Sequence, residues 1–279
     1  FLFADGVYEV ALCNDGRPFL FDEHMRRMAQ GLSALRIRFD ELDALRDVAQ
    51  RLLEENRLED GLATIYVQVT RGVAPRKHVA ARPFQRHPDE FFSNGVEAIT
   101  VPDTRWSRCD IKSIALLPNV LANQQAKEAG AFEALLVRDG IVLEGSHSNL
   151  LGVFDGTLVT YPVCNYILPG ITRARLLALA RELGIPTMEA PIHLQDLARA
   201  DEMFLAGTTT EVMPLVRIDG RQIGAGKPGP ITRRLLEAYR EEIRNGAWPS
   251  GTDRLDPLDV QTLDQRDRGR EDRDGKEEP

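Results

Sequence analysis

Glu202-Met203-Phe204-Leu205-Ala206-Gly207-Thr208-Thr209-Thr210-Glu211-Val212-Met213-Pro214-Leu215-Val216-Arg217-Ile218 reads as two short strands, 202–206 and 211–218, joined through a glycine and three threonines. Taken alone the junction is a plain turn, although glycine allows close backbone approach and the three hydroxyls can hydrogen-bond a ligand. Outward from this pair lie more short strands, at 96–101, 110–116, 132–137, 149–154 and 157–161, with helices at 120–129, 172–183 and 231–243. Such a mixture predicts a β-rich, barrel-like core with helices packed outside.

The first part of the chain has a different grammar. Val7 to Leu12 and Pro18 to Phe21 flank an Asn14-Asp15-Gly16 turn and predict a hairpin. Asp22 can cap a helix to about Arg36, with Met25, Met28, Ala29, Leu32 and Leu35 on one face, and 40–56 repeats that pattern before a strand at 62–70. The class is therefore α+β with two domains. A small α+β domain covers 1–88, a linker with two nearby prolines and no period covers 89–95, and a larger barrel-like domain with outer helices covers 96–246. Phe1-Leu2-Phe3-Ala4-Asp5-Gly6 reads as a chain already in progress, so the small domain is expected to be incomplete at its start. Residues 247–279 form a charged tail; 16 of its last 29 residues are charged, which predicts disorder.

Composition excludes several functions. Of the net charge of -8, the tail from Gly251 supplies -4 (10 acidic, 6 basic residues), leaving -4 for the body, which argues against a nucleic-acid surface. No apolar run approaches the ~18 residues of a membrane span. Cys13, Cys109 and Cys164 are widely spaced and form no metal-ligand ladder with histidine, so reduced thiols in a cytoplasmic protein are expected, with no metal.

Four features carry chemistry. Lys112 lies in the apolar, β-prone stretch Arg108-Cys109-Asp110-Ile111-Lys112-Ser113-Ile114, where a desolvated amine is a nucleophile; by itself it reads as a lysine whose stem covers the core. Glu144-Gly145-Ser146 follows a turn and a short strand, Pro169-Gly170-Ile171-Thr172-Arg173 opens a helix that Thr172 can cap and that can bind an anion, and Gly207-Thr208 opens the Thr-rich loop. A lysine, a carboxylate and anion-binding groups are together the parts of a pyridoxal phosphate site. Gly224-Ala225-Gly226-Lys227-Pro228-Gly229 matches a dinucleotide fingerprint, but Pro228 lacks an amide and no βαβ unit follows; no GxSxG elbow is present.

Ala4-Asp5-Gly6-Val7-Tyr8-Glu9-Val10, Glu23-His24-Met25-Arg26-Arg27, Val69-Thr70-Arg71-Gly72, Pro75-Arg76-Lys77-His78, Arg105 to Ser113, Glu144-Gly145-Ser146, Pro169 to Arg173 and Thr208 to Glu211, in that order, resemble the fold-type-IV transaminases, and among them the D-amino acid branch. The resemblance runs from Phe1 to about Arg240. It implies pyridoxal 5'-phosphate held by Lys112 as a Schiff base, Glu144 on the pyridine nitrogen, and Leu168 against the ring. Arg27, the amides of Ile171 and Thr172, and Gly207 and Thr208 would hold the phosphate. Tyr8 would trap the substrate carboxylate with Arg76 and His78, the latter pair reaching in from the other subunit of a homodimer. The implied activity is transamination of D-alanine with 2-oxoglutarate; a branched-chain L-amino acid transaminase, an aminodeoxychorismate lyase and a non-catalytic remnant are the alternatives. His147 stands where the family carries a small serine and Gly207 where it carries a phosphate-donating serine, and the stretch after His78 is expected to lack the small domain's last strand.

Overall fold

Strand alternation along Gly6–Asn14 (β1) sends Val7, Ala11 and Cys13 to one face and Tyr8 and Val10 to the other. A two-residue turn, with Asp15 and Gly16 at φ 47° and 70°, returns the chain into Arg17–Pro18 (β2), the primed geometry that suits twisted hairpins. Helices Phe21–Ala34 (α1) and Leu45–Glu55 (α2) follow, then Leu62–Thr70 (β3) and Arg76–Pro83 (β4), in the sheet order β2-β1-β3-β4. Met28, Leu32, Leu45 and Leu53 of the helices pack on Val7, Ala11, Ile65 and Val67 of the sheet. The computed structural model describes residues 3–246; the tail expected to be disordered lies outside the described residues, as do Phe1 and Leu2.

Two expectations are corrected in this half, and a third segment is seen in more detail. The N-cap of α1 is Leu20, in the left-handed region at φ 53°, and Asp22 sits instead in the first turn, where its charge suits the helix dipole. Strand β4 forms where the sequence reading saw none, paired with β3 from Ala63↔Pro83 to Thr70↔Arg76. It was invisible because Arg76-Lys77-His78 and Arg82 make it a charged edge strand without apolar alternation. The stretch read as a linker contains a short helix, Asp89–Asn94 (α3), whose Phe92 is buried in the second core.

The remaining elements are Val96–Pro102 (β5), Leu117–Glu128 (α4), Glu133–Arg138 (β6), Ile141–Gly145 (β7), Asn149–Phe154 (β8), Thr157–Thr160 (β9), Ile171–Glu182 (α5), Thr187–Glu189 (β10), Ile192–His193 (β11), Glu202–Gly207 (β12), Glu211–Ile218 (β13), Arg221–Gln222 (β14) and Pro230–Asn245 (α6). The order β8-β12-β13-β5-β6-β7 closes on itself because β7 also pairs with β8, which makes a barrel. Leu135, Val142, Leu150, Leu205, Met213 and Val96, one from each of these strands, belong to a single cluster that fills the barrel. Their neighbours Leu151, Phe204 and Val212 point outward onto Leu176 and Leu179 of α5 and Leu235 and Tyr239 of α6.

The expected strand at 110–116 is absent. Residues 112–114 make one bridge, Val7↔Ser113, with Tyr8 N donating to Lys112 O and Ile114 N to Gly6 O. The apolar alternation is real, but the segment meets the open edge of β1 only at this single bridge. No helix among the described residues is long and apolar enough to cross a membrane.

Candidate active site

The pair that closes the barrel is Glu144 with Asn149. Glu144 is 4 % exposed, and its carboxylate accepts hydrogen bonds from Asn149 Nδ2 (2.9 Å), the Leu168 amide (3.1 Å) and Arg105 Nη1. Burial pushes this carboxyl up to about 7, against the lowering pull of the Arg105 guanidinium and the Leu168 amide. Arg105 is itself locked by Asp103 and by Tyr166 O, so the ion pair has a rigid base. Asn149 Nδ2 also donates to Leu168 O, which fixes the loop that carries Leu168 over the site.

That loop enters α5 at Gly170. Its φ of -66° suits any residue, so conformational freedom is not the reason for glycine; a Cβ there would lie 1.8 Å from Asn149 Oδ1. Gly170, not Thr172 as expected, is the N-cap, and no side chain caps the helix. Thr172 Oγ1 lies 3.3 Å from Tyr239 Oη instead. The amides of Ile171 and Thr172 therefore stand at the positive end of the helix without intrahelical acceptors, a ready anion site.

Lys112 is half-buried, with Nζ 3.4 Å from Tyr8 Oη and 4.4 Å from the centre of the Tyr8 ring, so Tyr8 fixes where the amine sits. Arg27 reaches over from α1, with Nε and Nη2 each donating to Glu9 at 2.7 Å and Nη1 donating to Pro169 O at 3.0 Å, which ties the small sheet to the start of α5. Glu9 also meets His24 Nδ1 at 2.7 Å. Burial raises the Glu9 carboxyl, but Arg27 and His24 outweigh it and hold the group at about 2. Burial lowers the His24 pKa, with the charges of Arg27 and Lys112 acting the same way and Glu9 opposing.

Tyr8, Arg27, Lys112, Glu144 and Leu168 line one cavity of about 820 Å³, and Ile171, Thr172, Gly207 and Thr208 line it with them. Arg76 and His78 do not: they are exposed on β4, with the His78 ring 6.2 Å from Tyr66, which in turn stacks on Tyr8. The sequence reading gave no role to Glu9, His24, Arg105 or Asn149. Three of them stand in motifs quoted above, and Asn149 was read only as the start of a strand. Their partners are far away in the chain, and no spacing rule pairs Arg105 with Glu144.

A model of the amino-transferase class IV family matches residues 6–218. The chain belongs to the class IV aminotransferases. Among relatives of this class IV aminotransferase, the D-alanine aminotransferase of Bacillus licheniformis is 42% identical over 252 residues, covering 86% of this chain and 88% of that protein. That of Staphylococcus haemolyticus is 40% identical over 258 residues, covering 88% and 90%. Among solved structures, the Escherichia coli branched-chain amino acid aminotransferase superposes with a TM-score of 0.81 at 26% identity, covering 91% of each chain. A Thermus thermophilus branched-chain amino acid aminotransferase with pyridoxamine 5'-phosphate gives 0.77 at 28% identity, covering 88% of this chain and 87% of that one. The class IV fold expected from the sequence, a small α/β sheet beside a barrel with outer helices, is therefore present.

Proposed function

We propose that this class IV aminotransferase is a pyridoxal-phosphate-dependent D-amino acid transaminase that converts D-alanine and 2-oxoglutarate to pyruvate and D-glutamate. The observation that carries the reading is the convergence of Lys112, Glu144 and the open amides of α5 on one cavity, in a chain 42% identical to a D-alanine aminotransferase. The donor set fits the cofactor. The helix start and Arg27 suit a phosphate, the Gly170–Asn149 approach leaves no side chain between them, and Glu144 is a buried carboxylate with an amine in the same cavity.

Arg27, the Ile171, Thr172 and Gly207 amides and Thr208 would hold the phosphate, Glu144 the ring nitrogen, Leu168 one ring face, and Lys112 the carbonyl carbon. Pyridoxal phosphate, when bound, supplies the electron sink that allows an α-proton to leave the substrate. With the cofactor in place, Lys112 Nζ would take that proton from the substrate Cα as general base and give it back as general acid. Tyr8 both sets the position of Nζ and offers its hydroxyl to the substrate carboxylate.

Arg76 and His78 complete the carboxylate trap of a second subunit, because they lie outside the cavity of their own chain. Leu117, Val120 and Leu121 of α4 are 68%, 58% and 55% exposed, an apolar face beside the cavity that suits a homodimer contact. We take the two sheets as domains, 1–88 and 96–246, joined by 89–95. The free thiols Cys13, Cys109 and Cys164 support a cytoplasmic location.

The test offers D-alanine and L-leucine separately with 2-oxoglutarate and measures the new keto acid. Pyruvate from D-alanine is expected; consumption of L-leucine alone would establish the branched-chain L-amino acid reading instead. Lys112→Ala abolishes turnover and removes the visible band of lysine-bound cofactor; a variant that keeps the band sinks the assignment of Lys112.

A further inference from the structure

His147 occupies the tip of the turn between β7 and β8, which is closed by Gly145 N donating to Ser148 O. Its Nδ1 edge faces the protein: 3.0 Å from Glu133 Oε2, 3.1 Å from Ser146 Oγ and 3.2 Å from Asn123 Nδ2. Glu133 is fully buried and anchored in turn by Ser146 Oγ, Ser148 Oγ and the Ala134 amide. The opposite edge of the ring carries Nε2, which has no partner among the described residues. The side chain is 46% exposed, on the wall of the cavity that holds Lys112 and Glu144. A Cβ at Gly207 would lie 3.8 Å from His147 O, so the residue that comes up to this wall from β12 contributes no side chain. Of the other cavity cations, Arg27 and Arg105 are paired with Glu9, Asp103 and Glu144, and Lys112 is the reacting amine.

We propose, resting on the transaminase reading above, that His147 is the specificity-determining residue of this cavity, its Nε2–H holding the distal carboxylate of a dicarboxylic amino acid or 2-oxo acid. Glu133 accepts from Nδ1–H, so Nε2 carries a hydrogen of its own only in the imidazolium, whose positive charge Glu133 balances. Burial lowers the His147 pKa, but the Glu133 hydrogen bond and charge outweigh it, with Lys112 from the 109–116 segment and Lys127 from α4 opposing; the result lies above the ordinary histidine value. His87, before α3, is the remaining titratable group that feels this ring. The dicarboxylate preference is thus present while the ring is protonated and fades as pH rises through the raised pKa.

The experiment measures, on the cofactor-loaded enzyme, the ratio of kcat/KM for D-glutamate over D-alanine. Calorimetry of 2-oxoglutarate against 2-oxobutyrate accompanies it and needs no turnover. His147→Ser is expected to lower both ratios by roughly ten- to hundred-fold, the worth of one hydrogen bond to a charged group, and to make them independent of pH. His147→Gln, which keeps a neutral donor at the Nε2 position, restores part of the preference and is also independent of pH. Ratios that do not move in His147→Ser, or a fall of D-glutamate and D-alanine together, overturn the proposal. If the wild-type enzyme turns over neither amino acid, the transaminase reading fails by itself. The calorimetric ratio then still decides for or against His147.

Discussion

Glu144 is raised by its burial and held back by Arg105, and the difference between those two effects sets its protonation near neutral pH. Burial raises the carboxyl, and the Arg105 guanidinium and the Leu168 amide pull it back to about 7, the range in which the proposed hold on a protonated ring nitrogen would operate at neutral pH. Arg105→Gln removes the cation and leaves the burial. The Glu144 pKa then rises further, and the carboxylate becomes scarce at pH 7 but recovers at pH 9. Cofactor affinity, followed by absorbance, is expected to fall about ten-fold or more at pH 7 and less at pH 9, on the scale of a lost charged hydrogen bond. Equal losses at both pH values would show that Arg105 acts only as a structural prop.

The start of α5 is an element whose position depends on one missing atom. Gly170→Ala forces a Cβ against Asn149 Oδ1, and Asn149 is the residue that holds both Glu144 and Leu168 O, so the helix start and the carboxylate must shift together. Overpacking of this kind costs about 1–3 kcal/mol, and thermal unfolding should report it as a drop of several degrees. Gly170→Ala combined with Asn149→Ala should cost less than the sum of the two changes, because the obstacle is gone; simple additivity of the two unfolding shifts would refute the coupling. Elements with strong alternation or helical period, such as β1, β3, α1 and α2, were legible in the sequence because burial of one face dictates both pattern and structure. The charged edge strand β4 has no buried face to reveal it, and 110–116 has the alternation of a strand without a neighbour to pair along its length. The site was legible where a motif is local, as at Lys112, Glu144 and Pro169 to Arg173. It was not where function depends on contacts across the chain, as between Arg27 and Glu9 or Arg105 and Glu144.

At the scale of the whole molecule, the two sheets are joined by the buried chain from His24 through Glu9 and Arg27 to Pro169. Glu9 moves from 4.5 in the unfolded chain down to about 2 on folding, so its stabilisation is complete above pH 4.5 and is lost as pH falls toward 2; the shift is worth on the order of 3 kcal/mol. The lowered pKa of His24 has the same sign, since the unfolded chain binds its proton first, and starts the loss from about pH 6.5. Urea unfolding should therefore give a midpoint that falls steadily in acid, and Glu9→Gln, though less stable throughout, should flatten the lower part of that fall; an unchanged acid limb would remove Glu9 from the account. The proposed shared-site dimer makes a sharper demand. Lys112→Ala disables the cavity of its own chain, while Arg76→Ala removes a side chain that, on the present reading, serves the partner. In a hybrid of the two, the Arg76→Ala chain keeps its lysine and receives Arg76 from the Lys112→Ala chain, so one cavity of the pair is whole. Statistical remixing of the two inactive proteins should then restore about a quarter of wild-type activity, since half the dimers are hybrids with one good site each. If Arg76 served its own cavity, every site in the hybrid would carry one defect and mixing would restore nothing, provided that size measurement shows the chains have exchanged.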